Sequence, residues 1–550
     1  MPKLTAIELE NFQTVSKHAV IPIRDLTLMF GPNGAGKSAI FDALDLMNLL
    51  FSNDWGNENK KINEYLDRWA RRESASKGND QIAFGLQFLF EDGWRPDLTG
   101  MEHETSLRHI AVASLWMGDM AEDFDGKNFR FFIGFKRSNF YGWSISELTI
   151  ANDERKFLEI VTEGESDPRI KIHDADWIDL YPTNILKEKL KTIIHQDSCY
   201  SYYLAPRLEG MNPNQWFPHE IYSLSTLDDI AALNQLEAVA QQIVGFFKLA
   251  FNKHFFSIDH KSLPLVKASR TVPSSEEVIS IISGEPHRKI DGKIGYVQNI
   301  GSTTTRQVLA KTLNKLQPHW SYLCASVAHN QTIETPASIN TTWGDLDPIS
   351  KINEMLREDL FEDNGYQLNG EVLCLTDLQE IIDSWVEDPR HYAKIVRLYL
   401  TDNHQRNVEI EDVGSGIGYI LPVLASLAHD GRALIQQPEL HLHPALQSAL
   451  GESIIRAVEN YKYHDQFCLI ETHSEHILLR ILKLLKNSNK REDEVLSPLT
   501  FEKVSILYFE PMPDGSTKIQ RLRLTPDGKL IDRWPGGFFN ERYKDLFDDE

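Results

Sequence analysis

Apolar and polar positions divide the chain into strand-like and helix-like stretches. Residues 26–30 (LTLMF) form a short apolar run, which predicts a buried strand. A glycine-rich turn follows, and apolar residues then recur at helical spacing from Ile40 onward. Between residues 80 and 165, apolar and polar residues alternate, as in QIAFGLQFLF, and this alternation predicts an antiparallel sheet.

The pattern changes in the middle of the chain. Residues 185–390 have mostly helical spacing, interrupted by a loop-rich break at 262–278. No heptad repeat is sustained, so we expect a globular insertion and not a coiled coil. Its apolar helices are typical of a core, yet we expect partner specificity to lie in this insertion.

Strand-like runs return in the last third of the chain. ALIQQPELHLHP and QFCLIETHSEHIL each predict a buried strand that ends in polar residues. VSILYFEPMPDGSTKIQRLRL predicts a hairpin that turns at Pro-Asp-Gly. We expect the aromatic cluster from Trp534 to Phe539 to pack on the preceding domain as a latch.

Length, charge and cysteine usage narrow the class of protein. The 550 residues exceed what one hydrophobic core usually serves, and the net charge of -23 argues against coating DNA or anionic lipid. Basic runs at 68–77 and 185–195 leave room for local contact with nucleic acid, although such runs are usually solvated faces. Dispersed cysteines without a CxxC pair, and the lack of a long apolar run or signal peptide, predict a cytoplasmic protein without a membrane span.

The most specific motif is G-x-x-x-x-G-K-[ST], which lies between the first buried strand and its helix. Backbone N–H groups of such a loop face an anion, so the motif predicts binding of ATP. Lys37 can then reach the β- and γ-phosphates, and the Ser38 hydroxyl can bind Mg²⁺. The predicted cofactor-binding residues here are Gly31, Pro32, Asn33, Gly34, Ala35, Gly36, Lys37 and Ser38.

Two further patterns are weaker. VGSGIGYILPVL places small residues before a helix, where Ser415 and Gly416 could offer a hydroxyl and amides to phosphate. A flexible loop that caps a helix would have the same sequence. Four histidines downstream could bind a metal, but they lack a cysteine-rich or H-E-x-x-H context: His441, His443, His473 and His476.

Together these segments resemble the ABC-type ATPases of the RecF, SMC and OLD group, often labelled AAA-15 or AAA-21. The resemblance covers roughly residues 1–50 and 395–480, and it implies an α/β head split by an insertion. It also implies a homodimer that sandwiches ATP between Gly31–Ser38 of one copy and Ser415 and Gly416 of the other. By the same resemblance, His473 would be the switch histidine that contacts the γ-phosphate.

The chain departs from this family at residues 436 and 437, where the Walker B acid and the catalytic base are expected. Gln436 offers Mg²⁺ only an amide dipole, so we expect weaker metal affinity. Gln437 cannot accept a proton, although an amide can still orient a water. We therefore expect ATP binding with slow or conditional hydrolysis.

Two nearby acids could compensate for the glutamines. Glu439 and Glu471 would reach the metal or the water if the local turns pointed them inward. The alternative, which we favour, is that Glu439 caps the following loop and Glu471 pairs with a surface cation.

Three functions fit these observations. The leading hypothesis is a regulatory ATPase subunit of a bacterial antiphage defence complex, similar to that of Septu-type or retron-associated systems, with a separate HNH nuclease as partner. The alternatives are a RecF-like DNA-repair ATPase and a nucleotide-sensing scaffold without turnover. The predicted domains are a split head at 1–50 and 391–510, an antiparallel β subdomain at 80–165, a mainly helical insertion at 185–390, and a C-terminal hairpin and aromatic tail at 511–550.

Overall fold

The computed structural model describes the two ends of the chain and parts of its middle. The described residues are 2–51, 64, 66–68, 81–91, 126–138, 142–154, 156–161, 169–172, 265–271, 280–282, 319–320, 322–324, 326, 348–361, 365–375, 393–429, 432–461, 465–488, 499–526, 529–532 and 534–535. Within them, no helix is long and apolar enough to cross a membrane. The basic run at 185–195, nearly all of that at 68–77, and most of the predicted helical insertion lie outside the described residues.

The described elements are strands, α-helices and two short turns of other helix types. The strands are β1 (Lys3–Glu10), β2 (Ala19–Pro22), β3 (Leu26–Phe30), β4 (Gln81–Leu89), β5 (Asn128–Ser138), β6 (Gly142–Asn152), β7 (Lys156–Val161), β8 (Arg169–Ile172), β9 (Ser280–Ile282), β10 (Gln367–Leu375), β11 (Ala393–Thr401), β12 (Asn407–Val408), β13 (Ala433–Gln436), β14 (Cys468–Glu471), β15 (Val504–Pro511) and β16 (Thr517–Leu522). The α-helices are α1 (Ala39–Phe51), α2 (Pro348–Glu354), α3 (Ser415–Ala428), α4 (Pro444–Glu459) and α5 (Glu475–Ser488). A π-helical turn, Met355–Leu360, follows α2, and a 3₁₀ turn, Phe501–Lys503, precedes β15.

The alternating sequence of the first third forms an antiparallel sheet of seven strands in the order β2-β1-β4-β5-β6-β7-β8. This confirms the sheet predicted for residues 80–165, which also recruits β1 and β2. Inside it, the buried carboxylate of Glu8 accepts two hydrogen bonds from Arg130, both of 2.7 Å. Because a buried charge is costly without a partner, this pair suits only the register seen here.

A second sheet forms the head, in the order β13-β14-β3-β15-β16. The first four strands are parallel, and their near-continuous burial explains the apolar runs in the sequence. The register sets Gln436 opposite Glu471, and Glu471 opposite Met29, so three strands end at one edge. In open α/β sheets, ligands bind beyond the carboxyl ends of the strands.

Residues assigned to the insertion also contribute to the core of the head. Val266, Trp320 and Ile352 are buried in the same hydrophobic cluster as Leu28 and Ile470. A third sheet joins β10, β11 and β12, with β9 also paired to β11. The described part of 185–390 therefore contains strands as well as helices.

The C-terminal segment packs on the head as the sequence predicted. β15 and β16 form an antiparallel hairpin, with Asp514 and Gly515 in its turn. The ring of Trp534 lies edge to face on Phe30, with centroids 5.4 Å apart, and 6.0 Å from the ring of Tyr508. The latch is confirmed for Trp534, whereas residues 536–539 lie outside the described residues.

Candidate functional site

The glycine-rich loop connects β3 to α1 in a conformation that depends on its glycines. Gly31 and Gly36 have φ angles of 146° and 79°, which disfavour residues with a side chain. A Cβ on Gly31 would lie 2.5 Å from the carbonyl oxygen of Phe509, and one on Gly36 would lie 2.0 Å from the Thr14 hydroxyl. The loop is therefore held tightly against β15 and the turn that follows β1.

Lys37 lies inside this loop. Its side chain is 3% exposed, and its ammonium donates to the carbonyls of Gly31 (2.9 Å) and Pro32 (3.0 Å). The ammonium is also 3.7 Å from the carboxylate of Glu471. Burial lowers the pKa of Lys37, and Glu471 opposes that shift.

Glu471, at the end of β14, is the centre of the site. Its Oε2 accepts hydrogen bonds from the Ser38 hydroxyl (3.3 Å) and from the Gln436 amide (3.2 Å). The expected pairing of Glu471 with a surface cation is wrong, because its cation is the buried Lys37 of the loop. Burial raises the pKa of Glu471, while Lys37, Ser38 and Gln436 lower it.

The end of β13 carries amides where acids were expected, and Arg270 holds its backbone. Gln436 bonds to Glu471, and Gln437 has a φ of 45°, an unfavourable value for a residue with a side chain. The guanidinium of Arg270 donates to the carbonyls of Gln436 (3.2 Å), Gln437 (3.2 Å) and Pro438 (3.4 Å). A buried cation thus holds the backbone of the turn that carries the two glutamines.

Arg270 is 4% exposed and also donates to the Tyr419 carbonyl at 2.8 Å. Burial lowers its pKa to about 10, which leaves it charged at neutral pH. Its segment extends the sheet, because Val266 exchanges backbone hydrogen bonds with β13. The sequence signal for Arg270 was weak, because it is one of two cations in the loop-rich break.

Glu439 acts as a cap. Its carboxylate accepts from the backbone N–H of His473 (2.8 Å) and from the Thr472 hydroxyl (2.7 Å). The expectation that Glu439 caps the loop after β13 is therefore wrong, because its carboxylate caps the loop after β14. Burial raises the pKa of Glu439, and these hydrogen bonds oppose the rise.

His473 follows the end of β14 and is held by the same cap. Its Nε2 is buried and has no hydrogen-bond partner among the described residues. Burial, helped by Lys37, lowers the pKa of His473 to about 4, so the ring is neutral at neutral pH. A neutral imidazole with an unsatisfied nitrogen is available to a ligand that enters the site.

The small-residue segment forms the start of α3. Gly414 is exposed and caps the helix, which begins at Ser415. A Cβ on Gly416 would lie 2.9 Å from the carbonyl oxygen of His441, so this end of α3 lies against the loop after β13. The described hydrogen bonds and ion pairs do not join Gly414–Gly418 to the glycine-rich loop.

Among the described residues, no group of three or more His, Cys, Asp or Glu side chains could hold a metal ion. His443 has a structural role, because its ring accepts a hydrogen bond from the backbone N–H of Ala445 and caps α4. The His441 ring lies 4.3 Å from that of Tyr419. The alternative of a histidine metal site thus gains no support within the described chain.

Sequence reasoning missed Thr517, in the hairpin strand β16. Its hydroxyl donates to the Ala35 carbonyl at 3.0 Å and lies 2.8 Å from the Thr14 hydroxyl. Its backbone N–H donates to the Thr14 carbonyl at 2.8 Å. No pattern could have identified this threonine, because its partners are about 500 residues away.

The residues present fit a nucleotide and a divalent cation. Phosphate oxygens fit a glycine loop of this conformation, in which Gly31 and Gly36 approach neighbouring groups closely. The buried Lys37 and the unsatisfied nitrogen of His473 are further partners for them. Ser38 and Glu471 offer oxygen atoms, which Mg²⁺ prefers as ligands. Two protein ligands are enough for such a site, because Mg²⁺ is commonly bound by few protein groups together with substrate phosphates.

Two family models match the chain. A model described as "AAA ATPase domain" (AAA_15) matches residues 2–478, and one described as "Protein of unknown function (DUF3696)" matches residues 499–548. No match was found among curated proteins. Similar solved structures include a crystal structure of an SmcHead bound to the C-winged helix domain of ScpA, at 11% identity, covering 95% of this chain and 98% of that one, with a TM-score of 0.37.

The Smc head domain with an extended coiled coil bound to the C-terminal domain of ScpA, derived from Pyrococcus furiosus, is 10% identical, with coverages of 95% and 97% and a TM-score of 0.36. The SMC head domain from Thermotoga maritima is also 10% identical, with coverages of 95% and 100% and a TM-score of 0.33. The family model spans most of the chain and includes the glycine-rich loop and both strand ends. The chain therefore belongs to the AAA ATPase domain family, with an α/β, ABC-type P-loop head.

Proposed function

We propose that this chain is an ATP-binding, ABC-type subunit that responds to its nucleotide state and hydrolyses ATP slowly. One observation carries the proposal: a complete phosphate loop faces a strand end that carries Gln436 and Gln437 instead of acids. The loop supports binding through backbone N–H groups and Lys37. An amide at position 437 cannot take a proton from water, so turnover is slow.

Each residue of the site has a proposed role. Lys37 and the loop from Gly31 to Ser38 would hold the phosphates, and Ser38 would bind Mg²⁺. The bound ion supplies positive charge that offsets the phosphates. Neutral His473, in the tautomer that carries its proton on Nε2, would donate to the outermost phosphate, and Gln437 would orient a water.

The start of α3 supports a homodimer. Gly414 is exposed at the start of the helix, and the first N–H groups of a helix lack partners within it, so those of Ser415 and Gly416 can bind an anion. In the proposed dimer, each copy presents this end of α3 to the nucleotide that the other copy holds. ATP would then join two heads, and its release would separate them.

The proposed cellular role is regulation of a separate nuclease effector, of the HNH type, in bacterial antiphage defence in the cytoplasm. Support comes from the combination of a P-loop head, a predicted globular insertion and glutamines at the two acid positions, which is similar to the ATPase component of Septu-type or retron-associated systems. Slow hydrolysis suits such a role, because a long-lived nucleotide state can hold an effector in one assembly.

Native mass spectrometry of the complex purified from its host tests the proposal. We expect two or more copies of the chain, bound ATP and a co-purifying nuclease, with assembly or cleavage that changes when nucleotide is removed. Lys37→Ala should lose the nucleotide, whereas Lys127→Ala removes a similar charge from the antiparallel sheet and should retain it.

Three results would contradict parts of the proposal. A complex with the same assembly and activity with and without ATP would overturn nucleotide control. Absence of a nuclease would overturn the effector role. Hydrolysis that is stimulated by DNA, with a steep dependence on salt, would instead indicate the RecF-like repair function.

A further inference from the structure

The site contains a carboxylate at a position adjacent to the one where the family resemblance places it. Gln436 ends β13, and Glu471 ends the neighbouring strand β14 directly opposite it. The Gln436 amide donates to the Glu471 carboxylate at 3.2 Å. The glutamine thus directs an acid from the next strand toward the phosphate loop.

The contacts of Glu471 join it to both functional side chains of the loop. Ser38, the proposed magnesium ligand, donates to Oε2 at 3.3 Å, and Lys37 lies 3.7 Å from Oε1. Glu439, the other buried acid of the site, is instead engaged by Thr472 and the His473 backbone. Only one of these two acids therefore faces Ser38 within the described structure.

The charge balance of this group changes when a phosphate arrives. In the structure, Lys37 is the cation beside the buried Glu471. A phosphate that attracts Lys37 brings further negative charge close to the same carboxylate, and both anions then need a cation. A divalent cation with oxygen ligands meets that need.

We propose that Glu471 supplies the carboxylate toward Mg²⁺ of bound Mg-ATP, in place of an acid at position 436. This inference rests on the proposed ATP binding and deepens it. Gln436 is then a positioning residue that orients Glu471 through its amide. Ser38 and the phosphates would hold Mg²⁺ together with Glu471.

Calorimetric titration of ATP, with Mg²⁺ and with EDTA, tests the inference by a readout that does not depend on turnover. In the wild-type protein, Mg²⁺ should tighten ATP binding by about tenfold or more. In Glu471→Gln, this ratio should fall to below about threefold, while affinity in EDTA should equal or exceed that of the wild type, because the repelling carboxylate is gone. A variant that had merely lost structure would bind worse in both conditions.

Two further variants complete the test. Glu8→Gln removes a buried carboxylate of the antiparallel sheet, outside the site, and it should keep the wild-type ratio. The exchange Gln436→Glu with Glu471→Gln places the acid on β13, and it should restore magnesium dependence to the Glu471→Gln protein.

The outcomes separate this inference from the proposed function. Wild-type protein that binds no ATP overturns both. If wild-type protein binds ATP and Glu471→Gln has the same ratio of affinities with Mg²⁺ and with EDTA, only the role of Glu471 is overturned. The same holds if Glu471→Gln loses affinity in EDTA and the exchange variant does not restore it.

Discussion

Two neighbouring strands end at the same edge of the head sheet with opposite chemistry. β13 ends at the amide Gln436 and is followed by a second amide, Gln437. β14 ends at Glu471 and is followed by Thr472 and the neutral His473. The backbone of the β13 end is held by a buried guanidinium, while the β14 end is joined by side-chain contacts to the phosphate loop. In the proposed function, the β14 end helps to bind Mg-ATP, whereas the β13 end lacks the base that would remove a proton from water.

The largest expected effect is a loss of stability when the contacts that hold the β13 end are removed. Arg270→Ala leaves three backbone carbonyls of the β13 turn without their buried donor, so the protein should lose about 3 kcal/mol of unfolding free energy. Chemical denaturation measures this loss. Arg406→Ala, which removes an exposed arginine paired with Asp402, is the matched control and should leave the midpoint unchanged.

A carboxylate introduced at the β13 end tests whether the two strand ends differ because β13 lacks a base. Gln437→Glu introduces a carboxylate at the position that lacks one, so ATP turnover should rise by about tenfold or more. Release of phosphate from Mg-ATP at neutral pH is the measurement. Gln405→Glu makes the same change at another residue with positive φ, in the turn between β11 and β12, and should have no effect. Unchanged turnover in Gln437→Glu would show that another group already acts as the base.

A smaller effect is expected from the support behind the loop. Thr517→Val removes the hydrogen bond to the Ala35 carbonyl, and ATP affinity should fall by about fivefold, equivalent to about 1 kcal/mol. Thr517→Ser keeps the hydroxyl and should retain most of the affinity. Equal affinities for all three proteins would show that the hairpin does not stabilise the loop.

The smallest expected effect concerns the β14 end and depends on pH. The pKa of His473 is lowered from 6.5 to about 4 in the folded protein, so the unfolded chain binds more protons between these values. Its contribution to stability is therefore present above pH 6.5 and is lost as the pH falls toward 4. Melting curves of the wild type and His473→Gln should converge or cross in this window, whereas exposed His404→Gln should follow the wild type throughout.

Local patterns predicted the loop and the strands, but contacts distant in sequence decided the chemistry. Gly31 to Ser38 could be assigned because all of its functional groups lie within one short motif between a strand and a helix. Glu471 could not, because Ser38 is 433 positions away and no periodicity shows that the two strands lie side by side. Its assignment to the surface was therefore wrong.

Arg270 and Thr517 show the same limit. Arg270 lies in a segment with loop-like composition, yet it is buried because its segment extends the head sheet beside β13. Thr517 lies on an ordinary hairpin strand, and its role comes from the return of that hairpin to the loop at Ala35. Both roles arise from the tertiary fold, which hydrophobic patterns do not specify.

A single-turnover experiment tests the central claim most directly. Excess protein is mixed with labelled ATP and Mg²⁺, and bound ATP and released ADP are followed in the same sample. We predict that ATP becomes fully bound and stays largely intact long after binding is complete, and that Gln437→Glu shortens this delay. Appearance of ADP at the rate at which wild-type protein binds ATP would contradict the claim.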